Sequence, residues 1–365
     1  MSTPYDALPP PPPGQQPWQP GQPGQPALPG YYAPPAPPGP AETGPVEYHR
    51  IQRIGRWGTA GWWRPAVGLF TMLVLAFLVG PAVLLVGFIV WFAARGSNDL
   101  QGDLSDLVDT NHVTPSVLAF INLSWAVAIP CALLVLWVFH RLKPGWLSSV
   151  TGRLRLGWLA TCFGLAFVAL IATVVVSAVL PSTGDSDMSG QVNDWTTTMR
   201  DFVLVVLLLT PLQAAGEEYA FRGYLTQAFG GLFAPLGPQV SRAAAVLLPA
   251  TLFALAHGAQ DAPIFIDRFS FGLVAGILVI TTGGLEAGIA MHVLNNFLAF
   301  GAALAYSDMT TALTPTDGTW WQVPVTLTQS LVYLGLATWV ARRRGIATTT
   351  PAPSAGLLEA PEPRV

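Results

Sequence analysis

Apolar residues gather along this chain in long runs separated by short polar stretches. The runs fall at about 66–94, 114–139, 157–180, 202–220, 243–259, 264–282, 285–306 and 323–341. Roughly 20 apolar residues cross a bilayer as a helix, and most of these runs are near or above that length. The pattern predicts an all-α polytopic membrane protein with about eight transmembrane helices. The fourth run is interrupted by its own charges, and the fifth and sixth are separated by little.

The polar stretches check the count. "HRIQRIGRW" before the first run, "HRLKPGW…GRLRLGW" after the second, Arg242 before the fifth and Arg342, Arg343 and Arg344 after the eighth are basic. "GSNDLQGDLSDLVD", "STGDSDMSGQVNDW", Asp261 with Asp267, and Asp308 with Asp317 are the acidic stretches between them. Eight spans with both termini cytoplasmic satisfy the positive-inside rule; seven or nine would put a basic cluster on the wrong side. The expected location is the cell membrane, with the lipid bilayer as a partner. Gly272 with Gly276, and Gly284 with Gly288, are small-xxx-small pairs that let helices approach closely. No internal repeat is visible, which weighs against a carrier built from inverted halves.

The ends are a different material. Residues 1–46 hold five consecutive prolines, Pro9 to Pro13, and then "PGQQPWQPGQPGQP". Such a segment lacks the apolar content to fold and favours polyproline II. A disordered tail is expected there, either a solvated tether or a docking site for a proline-binding partner. A basic juxtamembrane segment, 47–65, follows, then a transmembrane domain over 66–345, and a second loose tail at 346–365. No basic and then apolar N-terminal segment marks a cleaved signal peptide.

Composition agrees with the pattern. The chain has 365 residues, 52% of them hydrophobic and only 10% charged, against roughly 25% charged in a soluble domain. Net charge is −3, and no basic face or stripe points to a nucleic-acid partner. Cys131 and Cys162 lie inside apolar runs and read as small core residues.

The chemistry rests on the few polar side chains left at membrane depth. These are Glu217, Glu218 and Arg222 in the fourth run, His257 in the fifth, Glu286, His292, Asn295 and Asn296 in the seventh, and Asn122 and Gln329 in the second and eighth. Ionisable groups inside a membrane are costly and mark function by default. Residues four apart share a helix face, so Glu218 and Arg222 can pair. Glu217 is turned about 100° away, on a face with Gln213 and Phe221. One glutamate is then structural and the other is left for chemistry. His292 and Asn296 project together, as do Phe253 and His257. Asn295 and Glu286 read as packing or interface residues, and Asn122 and Gln329 carry no assignment. A carboxylate in a low-dielectric site can act as a general base. Imidazole and amide groups can orient a water or hold an oxyanion. The set describes hydrolysis of an amide by activated water.

At these residues the sequence resembles a known family. "EEYAFR" matches E-E-x-x-x-R, "FALAH" matches F-x-x-x-H and "HVLNN" matches H-x-x-x-N, in that order within a motif core at 211–296. Together they are similar to the CPBP family of intramembrane proteases, also called the Abi or CAAX prenyl endopeptidase family. The resemblance implies an eight-helix fold with a polar cavity open to the cytoplasmic side and to lipid. It implies that Glu217 and His257 activate the attacking water, that His292 and Asn296 stabilise the oxyanion, and that Glu218 and Arg222 hold the site together. The family is commonly labelled metalloprotease. Glu217, His257 and His292 would be the ligands of a zinc ion, but the residues equally permit a metal-free glutamate-activated water, the route favoured here. The expected substrate is a peptide or protein segment near the membrane, a prenylated CAAX protein by family analogy or a leader-type peptide. Two other functions remain in play: a catalytically silent scaffold or chaperone of the same family, and a proton-coupled transporter.

Overall fold

The computed structural model describes residues 44–54, 63–180, 191–258, 261–315 and 318–351. Most of the expected N-terminal tail, residues 55–62 and residues 352–365 lie outside the described residues. Eight helices are long and apolar enough to cross a membrane: Arg64–Ala94, Pro115–His140, Leu156–Ser177, Thr197–Leu236, Pro238–Ala256, Ala262–Thr282, Glu286–Tyr306 and Gln322–Arg343. They are called spans one to eight. Among the described residues there is no strand, only two isolated bridges, Glu47 with Thr349 and Ser149 with Gly284.

Local chemistry sets where the spans start and stop. Thr114, Thr196 and Asp261 accept the backbone N–H groups of Val117, Met199 and Ile264, which caps spans two, four and six. Pro115 sits in the first turn of span two, where a missing N–H costs nothing. Span six ends on Gly283 in the left-handed conformation, φ 69°, the usual glycine stop.

The fourth span corrects the sequence expectation. The apolar run suggested 202–220, but the helical path continues to Leu236. Its charges do not end it because they are buried against protein rather than lipid. The path passes through Pro211, and over Glu218–Leu225 it winds as a π-helix. Such widened turns recur at functional sites. This one holds Glu218 and Arg222.

Spans six and seven are central, with 56% of their most apolar window buried, whereas span one has 11% and faces outward. Phe70 and Leu78 of span one and Leu156 of span three are exposed, as lipid-facing residues should be. Lipid tails are as apolar as leucine, so the spans are held by close packing and polar ties rather than by hydrophobic burial. A Cβ at Gly216 would lie 2.1 Å from the Trp125 carbonyl oxygen, so only glycine lets span four cross span two this closely. The small pair Gly272 and Gly276 faces Ala250 and Val246 of span five. Asn122 donates to Thr210 at 3.1 Å and ties spans two and four.

The connecting segments sort to two ends. At one end, Tyr48–Ile54 forms a 3-10 turn whose Tyr48 hydroxyl donates to Leu147 O. Gln227 donates to Trp146 O, Arg155 to Ala347 O, and Val46 N to Thr350 Oγ1. Residues 47–54 and 346–350, assigned from sequence to the juxtamembrane segment and the tail, thus pack on the helical domain; Tyr48, His49 and Thr350 are buried. At the other end, Asn193 donates to Leu304 O and Ser307 O, and Val113 N donates to Thr310 Oγ1. A small apolar cluster with Val117, Phe202, Leu304 and Met309 lies beneath.

Candidate active site

Spans four, five and seven bring the motif residues together. His292 lies six residues into span seven, about 9 Å along a helix from its start at Glu286. It straddles the two glutamates of span four. Its Nδ1 is 2.9 Å from Glu218 Oε1, and its Nε2 is 3.6 Å from Glu217 Oε2. All three side chains are buried. A carboxylate accepts only, so Nδ1 is the donor to Glu218. That leaves Nε2 as the one ring nitrogen of His292 that can meet another group. Span seven comes this close because of Gly288: a Cβ there would sit 2.5 Å from Glu218 Oε2.

The two adjacent glutamates have separate partners. Glu218 Oε1 also accepts from Arg222 Nη1 at 3.0 Å, the i,i+4 pair expected from the spacing. Arg222 is wholly buried, and its guanidinium carbon stands 4.1 Å from the centre of the Phe253 ring. An aromatic face helps to hold a desolvated cation. Glu217 turns instead towards Gln213, whose Nε2 donates to Oε1. Its other oxygen, Oε2, has no hydrogen-bond partner among the described residues and faces His292.

His257 closes span five and joins the cluster through Phe253. Its ring centre is 4.6 Å from that of Phe253, and His292 flanks the same ring at 6.0 Å. Its Nδ1 lies 2.8 Å from the Phe253 carbonyl oxygen. A carbonyl accepts only, so Nδ1 carries the proton and the neutral ring presents Nε2 as an acceptor. Asn296 Nδ2 donates to Gln213 Oε1 at 2.9 Å, so it reaches Glu217 through one intervening amide.

The structure therefore gathers Glu217, Glu218, Arg222, His292 and Asn296 by hydrogen bonds and close approach, and His257 through an aromatic ring. Sequence reasoning placed Gln213 on the Glu217 face but gave it no part. It did not find Arg155, the partner of Glu286. Among the described residues no three His, Cys, Asp or Glu side chains are grouped to hold a metal ion. Glu217, His257 and His292 are not drawn together as a ligand set in this arrangement; Nδ1 of His292 donates to Glu218, which leaves Nε2 as its one nitrogen for any further partner.

Comparison with known proteins gives the same region. Residues 199–298 match the family model described as type II CAAX prenyl endopeptidase Rce1-like. An uncharacterized protein of Bacillus subtilis (strain 168), YyaK, is 30% identical over 148 residues, which is 38% of this chain and 48% of that protein. The match thus spans about half the length of this relative. No solved structure matches the chain significantly. The resemblance to the CAAX prenyl endopeptidase family holds: its model covers residues 199–298, and with them all seven motif residues of a multi-pass membrane protein.

Proposed function

We propose that this protein is an intramembrane endopeptidase that hydrolyses a peptide bond with a side-chain-activated water. The observation that carries the proposal is the buried gap between Glu217 Oε2 and His292 Nε2, 3.6 Å wide and bounded by an oxygen with no hydrogen-bond partner among the described residues. Both atoms are acceptors when unprotonated. A proton belongs between them, carried either by the imidazole or by a water that donates to both.

The reaction written on these residues balances. Glu217 Oε2 takes a proton from water as the water oxygen bonds to the peptide carbonyl carbon. His257, with Nδ1 spent on the Phe253 carbonyl, orients that water through Nε2. With Nδ1–H held by Glu218, His292 donates through Nε2 only as the imidazolium; in that form its Nε2–H, with the second amide proton of Asn296, is donated to the oxyanion. Collapse breaks the C–N bond, and the proton on Glu217 passes to the leaving amine. Glu218 holds His292 from behind, and Arg222 balances Glu218. Hydrogen bonds to developing negative charge in a desolvated site are worth more than in water.

The substrate class follows the family at a coarse level: a membrane-adjacent peptide of CAAX type, prenylated or not. Arg50, Arg141, Lys143, Arg153, Arg242 and Arg342 to Arg344 lie on the segments that meet at one end of the bundle. By the positive-inside rule that end, and with it both terminal segments, faces the cytoplasm.

The test is cleavage of a mixed library of prenylated and unprenylated peptides by purified protein in detergent, with Glu217→Gln in parallel. Loss of a general base lowers turnover by about 10²–10⁴-fold. Folded Glu217→Gln protein that cleaves like the wild type removes Glu217 as the base. Absence of cleavage by both proteins, each well folded, points to the scaffold function instead.

A further inference from the structure

Gln213 stands outside the three family-like motifs, yet its side chain links Glu217 of the first to Asn296 of the third, beside the direct Glu218–His292 bond. It lies one helical turn before Glu217 on span four and is buried. Its Nε2 donates to Glu217 Oε1, and its Oε1 accepts from Asn296 Nδ2 at 2.9 Å. The direction of this relay is forced. A carboxylate cannot donate, so the amide nitrogen of Gln213 must face Glu217. Its oxygen must then face Asn296, which in turn must present its nitrogen. Flipping either amide would set two like atoms against each other in a site with little water to rescue them.

We infer that Gln213 is a positioning residue that orients the base and the oxyanion donor with a single amide; the inference rests on the endopeptidase reading above. At Glu217 the amide occupies Oε1 and fixes the carboxylate rotamer. The free oxygen, Oε2, is thereby turned to His292. At Asn296 the Gln213 oxygen takes one amide proton and leaves the other for an oxyanion. The two groups come from different spans, so their separation during the reaction depends on span packing unless something bridges them. Gln213 is that bridge. A leucine or methionine of similar volume would fill the space and pack spans four and seven equally well, but it would let Glu217 rotate and Asn296 flip. Misplacement of a reacting group by about 1 Å can cost on the order of 10²-fold in rate.

The experiment has two arms. In the first, the best-cleaved peptide of the library is used to measure kcat and KM for the wild type, Gln213→Met and Glu217→Gln. Gln213→Met is expected to lower kcat by about 10–100-fold with KM nearly unchanged and a lower thermal midpoint, since Glu217 Oε1 and Asn296 Nδ2 lose their partner; Gln213→Asn, too short to bridge, should behave alike and stands in if the methionine variant misfolds. Interhelical glue alone would lower the midpoint and spare kcat. In the second arm, the side-chain amide resonance of Gln213 is followed by NMR in glutamine-labelled protein, assigned by its loss in the Gln213 variant. It is expected to move on Glu217→Gln and again on Asn296→Ala, with no substrate present. An unmoved resonance, or wild-type kcat in both Gln213 variants, overturns the inference. An active Glu217→Gln protein would instead overturn the endopeptidase reading of Glu217, and the resonance would still report whether the relay exists.

Discussion

Two glutamate–arginine pairs are buried among the described residues, and they are built differently. Glu286 and Arg155 meet through two parallel bonds of 2.8 and 2.7 Å. The backbone N–H of Arg155 adds a third at 2.8 Å, and two of the remaining three guanidinium protons go to Thr282 O and Ala347 O. Glu218 and Arg222 share one bond of 3.0 Å. Glu218 Oε2 and the Nε and Nη2 atoms of Arg222 have no hydrogen-bond partner among the described residues. The first pair engages both carboxylate oxygens and all three guanidinium nitrogens. The second keeps capacity in reserve, next to His292 and Glu217. A buried polar atom left unpaired costs about 1–3 kcal/mol, and proteins accept such costs mainly at functional sites. The satisfied pair is a structural tie between the start of span three, the start of span seven and the segment after span eight. The unsatisfied pair lies against His292 and Glu217, the residues proposed for the chemistry.

The largest effect that can break this comparison is on stability. Glu286→Ala leaves Arg155 charged in a pocket with no counter-charge. Breaking one side of a buried pair costs roughly 3–5 kcal/mol. The variant is expected to unfold at markedly lower temperature or denaturant, while the cleavage rate per folded molecule stays near wild type. A variant as stable as the wild type, or one that is stable and inactive, would place Glu286 in the chemistry and erase the distinction.

His49 sharpens the comparison from a third direction, a buried ionisable group that meets its acid, Glu47, only at 3.8 Å. It lies in the 3-10 turn under the helical domain, with both ring nitrogens lacking hydrogen-bond partners among the described residues. Burial pushes its pKa down to about 4; Arg242 and Arg50 push the same way, and Glu47, 3.8 Å from Nε2, opposes them. The sign follows from proton counting. Between pH 6.5 and about 4 the unfolded chain binds a proton at His49 that the folded chain does not, so stability falls as pH falls through that window. The loss is on the order of 3 kcal/mol by its lower edge. Denaturation midpoints measured across this range should fall with acid in the wild type and flatten in His49→Leu. Equal slopes would mean that the acid sensitivity lies elsewhere.

How much of this could be read in the sequence depends on distance along the chain. The spans were legible because runs of about 20 apolar residues report the solvent directly. The Glu218–Arg222 pair was legible because four residues make one helical turn. The Glu286–Arg155 pair was not, since its members are 131 residues apart; the sequence showed only an acid at the head of a span and a basic loop. His49 was hidden for the same reason, because "EYHRIQR" reads as an exposed basic stretch until Tyr48 and Gly230 are seen packed around it. The length of span four escaped because hydropathy assumes that charges meet lipid, whereas here they meet protein. Gln213 was visible on the Glu217 face, but no local pattern says that Asn296, 83 residues later, will take its oxygen.

The finest test replaces each arginine by lysine, which keeps the charge and removes the planar fork. Arg155 uses all three nitrogens of its fork: Nε and Nη2 grip both oxygens of Glu286 while Nη1 and Nη2 reach two backbone carbonyls. An ammonium group has three protons on one atom and cannot span those acceptors. Arg155→Lys should therefore cost about 2–3 kcal/mol, since a hydrogen bond to a charged group is worth roughly 1.5–3 kcal/mol. Arg222 makes one bond to Glu218 and rests on Phe253. A lysine ammonium can supply both contacts, so Arg222→Lys should cost about 1 kcal/mol or less in stability. It should still slow cleavage, because Glu218 would meet a mobile point charge in place of a fixed fork and would hold Nδ1 of His292 less firmly. The difference between the two variants is then opposite in the two readouts: Arg155→Lys weakens the fold and spares the rate, and Arg222→Lys spares the fold and lowers the rate. Parallel effects on both would mean that the two pairs do one job.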